Sequence, residues 1–145
     1  MSEQQDDLPA HLELIQGVIE RHARSSFLLK GWSVTLVAAV FLLAVRGSSP
    51  VLAMTAGLLP AITFWGLDAY YLTHERTYRA LYDHVRKNGT KADDRFTMDA
   101  QPFKSGCPSW AKTLFSPSVL YFHLAIVLVV IGALAIFSLR TDHAA

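Results

Sequence analysis

The chain has one cysteine, Cys107, so it can close no disulfide within itself and offers no paired-cysteine metal motif. Set in Gly106-Cys107-Pro108, it reads as a loop cysteine in a reducing cytosol. No glycine-rich phosphate loop, H-E-x-x-H or G-x-S-x-G is present, and His11, His22, His74, His84 and His123 are scattered without ligand spacing. No metal or cofactor is therefore expected, and the chain reads as a non-enzyme. Charge of one sign is also missing: 13 basic and 12 acidic residues leave a net +1, which argues against direct binding of nucleic acid. The acidic start MSEQQDDLPA leads into an amphipathic segment, unlike a cleaved signal peptide, so the N-terminus is expected to be retained.

What is present is three stretches free of Asp, Glu, Lys and Arg, at residues 31–45, 51–67 and 118–139. A hydrocarbon core of about 30 Å needs roughly 20 helical residues at about 1.5 Å each. The third stretch meets that length unaided. The first two fall short unless the charges at their cytoplasmic ends are paired or snorkel. The expected fold is an all-α membrane protein, a long antiparallel helical hairpin extending into the cytosol plus a third transmembrane helix, with homo-oligomers as the working form.

The pattern predicts a disordered segment 1–8, then one helix over 9–46 that is amphipathic through Leu8, Leu12, Ile15 and Ile19 before it enters the membrane. Residues 46–50, Arg-Gly-Ser-Ser-Pro, form a tight turn with proline opening the next helix. That helix covers 50–88, kinked at Pro60 and capped at Asn88-Gly89. A cytosolic loop over 89–116 precedes the third span, 117–140, which starts with Ser116 as N-cap and Pro117 in the first turn; a short external tail covers 141–145. Trp32, Trp65, Tyr70, Tyr71, Trp110, Tyr121 and Phe122 all fall near the cytoplasmic interface as anchors.

Basic residues set the orientation. Arg21, Arg24 and Lys30 precede the first span, and Arg76, Arg79, Arg86, Lys87, Lys91, Arg95, Lys104 and Lys112 lie between the second and third, against only Arg46 and Arg140 on the other side. The positive-inside rule therefore expects a cytoplasmic N-terminus and an external C-terminus.

An antiparallel hairpin turning near Ser48-Ser49 places residues whose numbers sum to about 97 at one depth. This sets Lys30 against Asp68, Arg21 beside Glu75, and Glu20 near Arg76 and Arg79, with opposite charges at every rung. Asp68 is the sharpest residue, since an unpaired carboxylate near the inner leaflet would cost up to roughly 2.5–3.5 kcal/mol. Its candidate partners are Lys30 and His123, and the cluster reads either as an interhelical lock or as charges lining a polar pathway. The cytosolic extensions of the two helices form a stalk; along its second helix Glu75-Arg79, Arg79-Asp83 and Asp83-Lys87 are spaced for pairs four apart, keeping that helix formed while Tyr78, Leu81, Tyr82 and Val85 pack on Leu12, Ile15 and Ile19. Small residues Ala38, Ala39, Ala44, Gly132, Ala133 and Ala135 permit close approach between copies.

Two resemblances bear on function. Arg79 and His84 have the R-x4-H spacing that resembles the HEPN ribonuclease motif, which implies a membrane-tethered nuclease, although residues five apart on a straight helix diverge by about 140°. The lead-in at residues 19–32, IERHARSSFLLKGW, and the exit at residues 64–76, FWGLDAYYLTHER, resemble SLATT-type membrane effectors of bacterial conflict systems. That resemblance implies an oligomeric effector or ion-conducting pore of antiphage defence in a bacterial inner membrane, gated through its cytosolic helices by a sensor protein. A noncatalytic membrane anchor recruiting a soluble partner is the alternative the same layout supports.

Overall fold

The computed structural model describes residues 3–47, 49–89 and 96–142. Ser48 of the expected turn, Lys91 and Arg95 of the basic segment, and tail residues 143–145 lie outside these. The chain is all-helical among the described residues: α1 (Glu3–Arg46), α2 (Pro50–Asn88), a 3-10 turn (Gln101–Gly106), α3 (Trp110–Leu114) and α4 (Pro117–Asp142). Three of these, α1, α2 and α4, contain segments long and apolar enough to cross a membrane.

The burial pattern explains how they associate. On α2, Met54, Ala61, Asp68 and Glu75 are buried at intervals of seven; on α1, Ile19, Ser26 and Ser33 repeat the interval, as do Val37 and Ala44. A seven-residue repeat keeps one seam of each helix against its neighbour, as in a coiled coil. So α1 and α2 pair antiparallel along their length, with Val37 against Ala61 near the turn and Ile15 against Leu81 and Val85 at the far end. α4 lies chiefly on α2, and its Val130 completes the cluster of Val37 and Ala61. Large apolar side chains such as Leu43, Leu52, Leu59, Leu128 and Ile136 face outward.

Close approach in the hairpin depends on Gly57, where an added Cβ would sit 2.9 Å from Val40 Cγ1. Because valine is stiff at χ1, it has little room to yield. Gly57→Leu is accordingly expected to destabilise the hairpin by about 1–3 kcal/mol, read as an earlier unfolding midpoint in a detergent titration.

Several boundaries differ from the sequence pattern. Helix α1 starts at Glu3, not at residue 9, and carries Pro9 inside it. The proline forgoes one backbone bond, to the carbonyl four residues earlier. The segment expected as a loop over 89–116 contains the 3-10 turn and α3, and α4 runs on to Asp142. Pro50 does open α2, and the Gly89 N–H closes it on the Val85 carbonyl at 2.9 Å with φ of 68°. Ser116 caps α4 through its backbone carbonyl, which accepts from Leu120 N at 2.8 Å, whereas its buried hydroxyl has no partner among the described residues.

At the end remote from the turn, Ile15, Ile19, Leu81 and Val85 form a small core, flanked by Leu8, Leu12, Tyr78 and Tyr82. Ala100, Met98 and Phe103 from the returning segment close it, a contribution the sequence reading did not assign. Two indoles fix the corner below α4: Trp110 Nε1 donates to the Gly66 carbonyl and Trp65 Nε1 to the Leu114 carbonyl, each at 3.0 Å.

Candidate functional site

The stalk end of the apolar stretches is where the three long helices exchange charge. Asp68 is fully buried on the α2 seam. Lys30 of α1 reaches its Oδ2 at 2.6 Å, and His123 Nε2 of α4 lies 3.0 Å from the same oxygen. Ser26, one turn before Lys30, donates its hydroxyl to Asp68 Oδ1 and accepts from Lys30 Nζ at 3.1 Å. A carboxylate can only accept, so the proton of this contact belongs to Nε2 of His123. Trp65 stacks on that ring with an interplanar angle of 6°, and Phe122 meets it edge-on at 84°.

The cluster brings together all three residues expected there, Lys30, Asp68 and His123. It adds Ser26, which the sequence reading missed; the available signal was a hydroxyl one helical turn from Lys30 on the same face. Ion pairing neutralises the carboxylate in a place where water cannot, and the three donors satisfy both its oxygens. Lys30 keeps 24% of its side chain exposed, whereas Asp68 and His123 keep none. Two polar atoms near this level, His123 Nδ1 and Ser33 Oγ, are buried with no partner among the described residues.

The rest of the expected ladder rearranges. Arg21 and Glu75, and Glu20 with Arg76 or Arg79, are not paired among the described residues. Glu75, nearly buried, is held instead by Arg79 of its own helix, with Nε and Nη2 both 2.8 Å from Oε1. Glu20 accepts from Gln16, and Arg76 turns to Thr113 of α3. Asp83 pairs with Arg86 at 3.2 Å rather than with Arg79 or Lys87. Direction around the helix is the reason: Glu20 and Arg21 stand on the outward face of α1, away from the seam through Ile15, Ile19 and Ser26.

Arg79 and His84 are likewise engaged apart. Arg79 is tied to Glu75, while His84 meets Phe103 at a tilt of 51°, ring centroids 5.0 Å apart, and Asn88 through Nδ1. Helix α2 is unbroken through both positions, so the divergence of about 140° stands.

A second group of rings lies below the apolar stretches, where His22 of α1 stacks on His74 of α2 at 5.6 Å and on Tyr78 at 5.7 Å, with Tyr71 at 5.9 Å. The pKa of His22 is lowered from its ordinary value, first by burial, then by the charges of His74 and Arg21, with Glu75 opposing. A histidine that resists protonation when folded lets the unfolded chain bind more protons, so stability falls as pH drops from about 6.5 toward the depressed folded value. Amide exchange across residues 15–25 is expected to accelerate over that window, after correction for the intrinsic pH dependence. His22→Phe should flatten the response while keeping the stack.

The chain matches no family model, no curated protein and no solved structure.

Proposed function

We propose that the protein is a noncatalytic membrane anchor whose paired helices, projecting beyond the apolar stretches into the cytosol, recruit a soluble protein. The observation that carries this reading is the sealing of charge inside the spans. Asp68 and His123 have no exposure, and the outward hydroxyls of Thr35, Thr55 and Thr63 donate to their own backbones at Gly31, Val51 and Leu59. A water-filled path needs polar groups turned toward it; here the Lys30–Asp68–His123 cluster serves as an interhelical lock. The basic residues beside the stalk set its cytosolic side by the positive-inside rule. Leu14, 52% exposed between Glu13 and Gln16 on the outward face of α1, offers the partner an apolar contact.

A second reading, the oligomeric effector or pore of a bacterial defence system, is favoured by Ala38 and Ala39 of α1 and Gly132 and Ala135 of α4, which are small and exposed. Ala44 no longer contributes, being buried within the hairpin. Purified protein in liposomes separates the two. The anchor reading expects no ion flux at any protein density, together with a cellular protein that co-purifies with wild type and is released by Leu14→Arg. Flux that rises steeply with density would transfer the assignment to the pore. A reporter active only outside the membrane, fused to the C-terminus, is expected to be active.

A further inference from the structure

Beside the lock, the returning segment and α2 enclose a cleft of about 450 Å³ that gathers polar groups without an acid among them. Its walls include Tyr70 and His74 from α2 and Lys104, Ser105, Ser109 and Trp110 from the segment opposite, and no carboxylate lines it. Lys104 makes no ion pair among the described residues. The hydroxyl of Ser109 accepts from Lys112 N, which leaves its own proton free to donate. An ammonium and two serine hydroxyls are thus grouped on walls without a carboxylate; Lys104 also borders the adjoining cleft, where Asp99 already accepts from Gln101 N at 2.9 Å.

The height of the cleft identifies its ligand. Trp110 is pinned to the Gly66 carbonyl, at the last turn of the second apolar stretch, and Tyr70 lies one turn further along α2. Both rings are about half exposed, Tyr70 at 49% and Trp110 at 48%. Amphipathic rings in this position mark the boundary between hydrocarbon and headgroups. Lys104 and the two serines then stand at the level of lipid phosphates, which lysine binds as a point charge and serine through its hydroxyl.

We propose that this cleft holds the phosphate of an anionic phospholipid from the cytosolic leaflet, with the acyl chains leaving past Tyr70 and Trp110. The assignment rests on the membrane placement under the anchor reading and goes beyond it by naming a bound lipid. Occupancy would fix the 3-10 turn and α3 against α2 and so set the pose of the stalk at the membrane surface.

The test uses the full chain, purified from membranes in detergent containing equal amounts of phosphatidylglycerol and phosphatidylcholine, with retained lipid counted by mass spectrometry. Wild type is expected to enrich phosphatidylglycerol. Lys104→Gln is expected to reduce the enrichment about five-fold, Lys104→Arg to keep it, and Lys112→Gln, an exposed lysine outside the cleft, to leave it unchanged. Equal losses in Lys104→Gln and Lys112→Gln would reduce the effect to general attraction and overturn the site. Displacement of the lipid by millimolar inorganic phosphate or glycerol phosphate would assign the cleft to a soluble phosphate ester, overturning the lipid source. Helix content by circular dichroism, matched across variants, separates lost binding from lost folding. The C-terminal reporter checks membrane placement independently, so a cleft without selectivity in a correctly inserted protein refutes the lipid alone.

Discussion

Lys30→Met is expected to destabilise the helical bundle by about 3–5 kcal/mol, more than Asp68→Asn, although the two changes break the same ion pair. The asymmetry follows from exposure. Removing the lysine strands a carboxylate that has no exposed surface and keeps only Ser26 and His123 as donors. Removing the carboxylate's charge leaves a lysine that is 24% exposed and can carry its ammonium outward on a flexible stem. The side-chain amide that replaces the carboxylate would still accept from the serine or the histidine, so Asp68→Asn should cost about 1–3 kcal/mol. The double variant should be more stable than Lys30→Met alone, since neither partner is then left charged. Unfolding in mixed micelles at several detergent ratios gives the double-mutant cycle. A coupling below about 0.5 kcal/mol would mean that the two groups act independently and that the lock is not an energetic unit.

This cluster shows which parts of the molecule could be read from residues alone. Depth in a two-helix hairpin depends only on residue number and the position of the turn, so Lys30 and Asp68 were found from their spacing about Ser48-Ser49. Direction around each helix depends on which residues form the seam. The same depth rule placed Arg21 beside Glu75 and Glu20 beside Arg76, yet the seven-residue interval through Ile19, Ser26 and Ser33 turns Glu20 and Arg21 outward. The depth rule also places His22 level with His74, and there both rings do lie in contact. Serines hid the remainder: Ser26 and Ser33 resemble tolerated polar residues in an apolar run, although one of them bonds the central carboxylate. The segment from Phe96 to Leu114 carried little signal because its short helices are held by distant groups. Trp110 bonds Gly66, Cys107 meets the Arg76 carbonyl, and His11 of α1 holds the Thr97 carbonyl at 2.9 Å.

Ile15→Asp should separate the stalk from the spans in behaviour, with a local loss of more than about 4 kcal/mol. Ile15 has no exposed surface and sits among Ile19, Leu81, Val85 and Ala100, so a carboxylate there is buried in an apolar core, with the ring of His11 one helical turn away. The cluster of Val37, Ala61 and Val130 within the apolar stretches and the Lys30–Asp68 pair lie several turns away and depend on none of these side chains. Hydrogen exchange in lipid nanodiscs should therefore accelerate across residues 8–22, 78–88 and 96–103 while residues 33–44 and 54–68 stay protected. Leu14→Asp, one residue away but 52% exposed, should change exchange by less than about 0.5 kcal/mol while still releasing the partner that the anchor proposal expects. The pair of variants thus distinguishes a stalk that is folded but unable to bind from one that has come apart. Full protection of residues 8–22 in Ile15→Asp would show that the pairing of α1 with α2 beyond the apolar stretches does not rest on this core, and the proposed recruitment surface would have to be abandoned.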